Sequence, residues 1–504
     1  MKNSVNEFLH TALAASVVMI VGMSSWAGDG AAPQSDRAAT QTVPVAIDQS
    51  EPVRRLNVLL VVVDDLRPEL GTYGVLEIST PNINALARQG TRFARAYTQM
   101  ATCSPSRTSL LTGLRPDTTG VKNLVTHFRD TVPSVVTLPQ YFKQYGYQTQ
   151  SIGKVYHDDI LDDQSWSLPS IATWGEKAPL GPDGKRLAFA AVDGPVSAFA
   201  DGVAADYAIE ALRNLRDSPF FIAVGFKKPH LPFIAPPEFF ALYDKYAIPE
   251  ASNLAGAWGA PRFAFDFGAE LRNYSQMPES TEFFDEDLRR ELKRGYYAAT
   301  SFMDAQFGRI LAELDLLGLS DDTLVVFLGD HGMHLGEQGE WGKHTNFEAG
   351  TRVPLIIRSP GVGERQLSRA VVELVDLYPT ICELAGLPVP SAEEHGGYPL
   401  EGDSLVPLID APDTRSRRGA FSQWSRDGYV GRSIRTSRYR FTEWVKEGAP
   451  SELELYDYGS ETAETINQVQ DARYAEILPD LKTALDAGGQ RDLPPSLLPG
   501  GVLQ

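Results

Sequence analysis

Residues 56–63 read LNVLLVVV, with Asn57 the only polar side chain in the run. A strand of that composition offers no polar face to water, so it must be covered on both sides. Similar short runs recur at residues 220–225 (FFIAVG), 324–329 (LVVFLG) and 354–357 (PLII). Between them lie helical patterns. Residues 286–317 carry long 3.6-type spacing and residues 377–387 a shorter example. Thr80-Pro81 opens a further helix that closes at Gly90, with proline in the first position, where its missing N–H costs nothing. Doubly buried strands alternating with helices predict an α/β fold with a large central, mainly parallel sheet flanked by helices over residues 53–415. Past that point the texture changes. Residues 429–445 and 452–458 look like antiparallel strands with turns, so residues 416–504 are expected to form a smaller α+β subdomain containing an antiparallel sheet.

The N-terminal 52 residues stand apart from this pattern. Lys2 precedes an apolar stretch at residues 11–23, and Ser25-Trp26-Ala27 places small residues where a signal peptidase cuts. Residues 1–27 are therefore expected to be an export signal; the apolar run falls short of the about 20 residues that a membrane span needs. Residues 28–52 are small, polar and proline-bearing, as in a linker. No stable membrane span is expected after signal removal. The chain is acidic, 46 Lys+Arg against 65 Asp+Glu for a formal net charge of −19. That balance excludes nucleic acid as a partner, because phosphate backbones require a surplus of Lys and Arg. The two cysteines, Cys103 and Cys382, exclude a disulfide framework and a cysteine-rich zinc site. Cys382 falls within the apolar helix at 377–387 and reads as core.

Polar groups directly after buried parallel strands gather at the carboxyl edge of the sheet, where α/β proteins bind their ligands. Two such groups occur here. Asp64-Asp65 follows the first run, and two adjacent carboxylates repel each other unless a cation lies between them. Asp330-His331 follows the run at 324–329. Three carboxylates suit a hard divalent cation such as Ca²⁺, whereas the His331 imidazole is a less usual calcium ligand, so ligand type leaves the metal open. Cys103-Ser104-Pro105-Ser106-Arg107 adds a thiol at the start of a helix, whose free N–H groups attract anions, with an arginine fork that matches tetrahedral oxyanions. Three further basic segments carry Lys154 and His157, Lys228 and His230, and Lys343. Of the eight histidines, His157, His230, His331, His334 and His344 fall in these polar segments, a clustering that favours proton transfer.

Cys103-Ser104-Pro105-Ser106-Arg107 with Leu111-Thr112-Gly113 resembles the C-x-P-S-R-x-x-x-L-T-G signature of type I sulfatases, which are alkaline-phosphatase-like in fold. The resemblance runs from about residue 54 to 470 and includes Asp64-Asp65, the segments at 153–157, 228–230, 329–332 and 339–343, and Leu455-Tyr456-Asp457. Gly153-Lys154-Val155-Tyr156-His157, Lys228-Pro229-His230 and the stretch from Ser433 to Arg440 are similar to iduronate-2-sulfatase-like members. The resemblance implies that a maturase oxidises Cys103 to Cα-formylglycine, whose hydrate is the nucleophile toward the sulfate of a sulfated oligo- or polysaccharide. It further implies that Asp64, Asp65, Asp330, His331 and the group at 103 hold Ca²⁺. Arg107 and Lys154 would stabilise the hydrate and the bound anion, and His157 would take the diol proton. His230 and Lys343 would bind sulfate oxygens, one of them protonating the leaving alcohol.

Two features depart from the pattern. Met333 stands where iduronate-type members have an aromatic residue, which leaves the desulfation centre intact and bears on the sugar subsite. The structural disulfides of animal lysosomal members are not reproduced by two cysteines, so the resemblance implies a bacterial protein exported to the periplasm or beyond. Two other readings stay open: a phosphomonoester or phosphonate-ester hydrolase of the same superfamily, and a catalytically silent glycan-binding protein. The silent protein requires loss of Cys103, Arg107 or Asp330, and all three are present.

Overall fold

A computed structural model describes residues 55–498 apart from 158–159, 279–283, 416–417, 461–462 and 490–491. The expected export signal and linker lie outside the described residues. Seven strands form the main sheet: β1 (Asn57–Val63), β2 (Thr91–Tyr97), β3 (Gln148–Gly153), β5 (Phe220–Phe226), β7 (Thr323–Gly329), β8 (Arg352–Arg358) and β9 (Gln366–Glu373). A separate parallel pair consists of β4 (Phe189–Ala191) and β6 (Phe233–Ala235). The order in the main sheet is β3-β5-β1-β7-β8-β2-β9. Its pairs are parallel except for the two made by β8, which runs against both β7 and β2. The expected mainly parallel α/β sheet is thus present, with one reversed strand.

The pleat explains the unbroken apolar composition of β1. Val58, Leu60 and Val62 enter one core with Leu110, Leu111, Phe142 and Ile381. Leu59, Val61 and Val63 enter a second core with Ile83, Ala208, Met303 and Phe307. Successive side chains point to opposite faces, and helices cover both, so each position contributes about 1.5–3 kcal/mol of burial. The first face is covered by Cys103–Thr112, Leu138–Gln144 and Leu377–Leu384, the second by Pro81–Arg88, Ala200–Leu215 and Glu286–Leu316. Cys382 is fully buried in the first core, as its apolar helix implied. The 31-residue helix Glu286–Leu316 starts where the Asp285 side chain accepts the Leu288 N–H at 2.8 Å, followed by Glu286 and Asp287 near the positive helix end.

The C-terminal sheet is antiparallel, in the order β10 (Ala420–Arg426), β11 (Tyr429–Arg435), β12 (Tyr439–Val445) and β13 (Glu452–Asp457). The helix Leu478–Ala487 covers one side of it, with Leu481 and Leu485 against Ile434, Phe441 and Leu455. β10 docks along the chain that follows β2: Ser422 Oγ donates to the Thr98 carbonyl at 2.6 Å, and the Gln423 N–H to the Gln99 carbonyl at 2.9 Å. Among the described residues no helix is long and apolar enough to cross a membrane.

Candidate active site

Strand register brings the polar groups together. Val63 pairs with Gly329 on one side and with Phe226 on the other, and Gly153 pairs with Gly225. The residues after β1, β7, β3 and β5 therefore leave the sheet side by side, at its carboxyl edge. Lys154 is drawn in over β5, its N–H on the Gly225 carbonyl at 2.8 Å. A Cβ at position 225 would lie 1.9 Å from the Lys154 carbonyl, so only glycine permits this approach.

Asp64 and Asp65 diverge because of the backbone. Asp65 takes φ +60, a left-handed conformation that aspartate tolerates better than most residues. Its N–H donates to Asp330 Oδ1 at 3.2 Å, and its carbonyl accepts the Tyr296 hydroxyl at 2.8 Å. The long helix Glu286–Leu316 thereby fixes the turn that separates the two carboxylates.

Cys103 is the first residue of the helix Cys103–Thr112 and is 2 % exposed. Its Sγ lies 3.2 Å from Asp64 Oδ1, 3.3 Å from His331 Nε2 and 3.8 Å from Lys154 Nζ. Arg107, one turn on and on the same helical face, is fully buried. Its Nε donates to Asp330 Oδ2 at 2.8 Å, Nη2 reaches Asp64 Oδ1 at 3.5 Å, and Nη1 donates to the Lys154 carbonyl. Lys154 Nζ donates to Asp64 Oδ2 at 2.5 Å. Burial opposes ionisation of Asp64, but Lys154, His230 and Arg107 outweigh it and hold the carboxyl well below its usual range. Burial pushes Asp330 up and His331 down. Burial and the neighbouring Asp64 push the Cys103 thiol well above its ordinary value, which keeps it protonated.

Lys343 extends the cluster. Its Nζ donates to Asp65 Oδ1 at 2.8 Å and lies 3.4 Å from Glu270 Oε2. His230 Nε2 lies 3.3 Å from Glu270 Oε1 and 3.9 Å from Asp65 Oδ2. Burial works against Glu270, yet Lys343 and His230 draw its carboxyl down to about 2. Among the described residues, Asp64, Cys103, Asp330 and His331 offer ligand atoms within 4.8 Å of one another. Asp65 stands beside that group, with Oδ2 buried and without a hydrogen-bond partner.

Other expected residues are placed differently. His157 is half-buried, three residues beyond Lys154 on the same loop. Lys228 braces the His230 loop: its half-buried side chain donates through Nζ to the carbonyls of His230 and Pro232 at 2.6 and 2.7 Å, and desolvation lowers its pKa to about 8. His334 is a packing residue, bonded to Thr345 Oγ1 at 2.8 Å and held at about 4 by burial. His344 stacks on Trp424 of β10 at 4.8 Å, with Nε2 3.4 Å from Thr102 Oγ1 beside Cys103. Met333 is 1 % exposed, in a core with Tyr296 and Trp341. The departure at that position is therefore one of packing.

The family model described as Sulfatase matches residues 56–387. The chain belongs to the sulfatase family. A second model, described as N-sulphoglucosamine sulphohydrolase, C-terminal, matches residues 336–490. The iduronate 2-sulfatase of Mus musculus is 34 % identical to this sulfatase over 521 residues, covering 85 % of this chain and 93 % of the relative. A solved structure of BT4656 in complex with its substrate D-glucosamine-2-N,6-O-disulfate superposes with a TM-score of 0.72 at 25 % identity, covering 86 % of this chain and 97 % of that one. The phosphonate monoester hydrolase of Silicibacter pomeroyi superposes at 0.73 with 21 % identity, covering 87 % and 96 %, which shows the shared fold.

Sequence reasoning missed Glu270, Tyr296 and Asp201 in this sulfatase. Asp201 accepts the N–H groups of Lys227 and Lys228 at 2.7 and 2.9 Å and so shapes the His230 loop. None of the three follows a buried strand, and only tertiary packing brings them to the cluster.

Proposed function

We propose that this sulfatase removes sulfate from a saccharide, a uronate-containing or algal polysaccharide fragment, with Cys103 converted to Cα-formylglycine and Ca²⁺ beside it. The observation that carries this reading is the convergence of Asp64, His331 and Lys154 on Cys103 Sγ within 3.8 Å, inside a sulfatase-family chain. A neutral thiol at the positive end of a helix, ringed by cations and carboxylates, fits a position whose working form is an oxygen nucleophile. The aldehyde hydrate supplies that oxygen together with a second ionisable oxygen on the same carbon.

The donor set fits a hard divalent cation. It is rich in carboxylate oxygen, and the orphaned Asp65 Oδ2 is an acceptor that such a cation satisfies. Asp64, Asp65, Asp330, His331 and the group at 103 would hold Ca²⁺, which supplies charge to polarise a sulfate oxygen. Arg107 and Lys154 hold the group at 103 and the anion in place. Lys343 and His230 meet the remaining sulfate oxygens, one of them giving a proton to the leaving alcohol. His157 takes the proton whose removal frees the sulfate. The reading includes a maturase partner, export through residues 1–27, and a 53–415 catalytic unit with a 416–504 subdomain.

Release of sulfate from defined sulfated oligosaccharides tests the activity, with phosphonate esters as the competing substrates. Peptide mass spectrometry of protein made with a maturase should find position 103 about 18 Da lighter, the change from thiol to aldehyde. Active protein carrying only unmodified thiol would refute the nucleophile.

A further inference from the structure

A cavity of about 310 Å³ opens from the centre and is lined in part by Asp64, Lys154 and His230. Its size lies at the lower end of small-ligand sites, about 300–1,000 Å³. The lining also carries three cations outside the cluster at Cys103, Lys177, Arg186 and Lys227, and one aromatic plate, Trp174. Trp174 is 69 % exposed, unusual for an indole unless something covers it, and Lys227 Nζ lies 4.3 Å from its ring centroid. Arg186 lines the cavity and is anchored through Nη1 on the Ala178 carbonyl at 3.3 Å. Among the described residues none of these three cations forms an ion pair, while Lys154 is engaged by Asp64 and Lys343 by Asp65. The lining carboxylate nearest in sequence to Lys227, Asp201, is occupied by two backbone N–H groups. The lining also carries the carboxylates Asp64, Glu176 and Asp201, but Lys154, Lys177, Arg186, Lys227 and Lys228 outnumber them, so in a chain of net charge −19 this cavity keeps a local field that favours an anion.

We propose that this cavity is a second anion site: it seats a sugar ring against Trp174 and binds, through Lys227, Arg186 and Lys177, an anionic group other than the sulfate being cleaved. The substrate class is thereby a saccharide with at least two anionic groups, the second a carboxylate or another sulfate. This deepens the sulfatase reading and rests on it. The sulfate to be cleaved lies against Lys154 and His230 at one end, and the second group lies at the other.

The test compares kcat/KM for four esters: 4-nitrophenyl sulfate, a monosulfated neutral pyranoside, a sulfated uronate and a disulfated neutral pyranoside. Wild-type enzyme should favour the two doubly anionic sugars over the neutral one, and the arm that gains more identifies the second group. Lys227→Ala and Arg186→Ala should each reduce the ratio of doubly anionic to 4-nitrophenyl sulfate turnover by about 10- to 100-fold, as expected for loss of one charge-assisted hydrogen bond. Lys177→Ala, on an exposed side chain that the fold does not need, should reduce it less but in the same direction. An unchanged ratio in all three variants, or a wild type indifferent to the second anionic group, overturns the proposal and leaves the sulfatase reading standing. Turnover of phosphonate esters with no sulfate ester accepted overturns the sulfatase reading itself.

Discussion

Two of the buried ionic clusters among the described residues are built to different ends. One surrounds Cys103 at the carboxyl edge of the main sheet. The other surrounds Glu348, where Arg435 and Arg440 of the antiparallel sheet meet the main domain. Around Glu348 every charge is matched. Oε2 receives Arg440 Nη2 at 2.8 Å and Arg435 Nε at 3.1 Å, Oε1 receives the Tyr97 hydroxyl at 2.9 Å, and Arg440 Nε reaches Glu464 Oε1 at 3.2 Å. Around Cys103 the matching stops short. Asp65 Oδ2 is left without a hydrogen-bond partner, and the carboxylates of Asp64 and Asp330 crowd one thiol. A saturated cluster fastens two parts of a fold; a cluster with a leftover buried acceptor is shaped for a guest.

The sharpest way to break this comparison is Cys103→Ala. Sulfate release should fall by at least about a thousand-fold, because the proposed nucleophile is gone, while the melting temperature stays within a few degrees. Glu348→Ala should do the opposite. It strands Arg435 as a buried unpaired charge and leaves Arg440 only Glu464, a loss of about 3–5 kcal/mol by urea denaturation, with little change in turnover per folded molecule. Ca²⁺ should raise the melting temperature of the wild type and EDTA reverse it; Asp65→Asn should abolish that rise and lower turnover by about a hundred-fold. A calcium response that survives in Asp65→Asn would show that the orphaned acceptor has no part in binding the ion. Gly225→Ala forces Lys154 off its perch on β5 and should cost about ten-fold in kcat/KM, the effect of a misplaced but present cation.

The smallest effect concerns acid. Burial works against Glu348, but Arg435 and Arg440 depress its folded pKa well below the usual 4.5. A depressed carboxyl contributes its stability fully above the unfolded value and loses it as pH falls through the folded one. Stability should therefore decline below about pH 4.5 with a component that Glu348→Gln removes, read as a flatter acid limb in denaturation midpoints.

The chemistry was most legible where it hangs on strand ends. Asp64-Asp65 and Asp330-His331 could be located because an unbroken apolar run announces a doubly buried strand, and the residue after it must emerge at the sheet edge. Cys103 and Arg107 were legible together because a helical turn fixes their spacing. Lys154 and Lys343 were visible as residues but not as buried ones; lysine is ordinarily solvated, and only Asp64 and Asp65 make their burial tolerable. His334 and Met333 show the reverse error, polar or aromatic-site positions that the fold uses as packing.

The sequence alone determined the α/β layering, the order of the strand-end groups and the local geometry of Cys103 and Arg107, since these depend on periodicity and on neighbours within a turn. Only the tertiary structure decided that β8 runs backwards, that Tyr296 holds the turn at Asp65, that Glu270 bridges Lys343 and His230, and that Trp174 shares a cavity with Lys227. The physical reason is range. Those contacts join residues far apart in the chain, and a side chain's partner across such a distance is set by how the layers pack, not by the pattern around it.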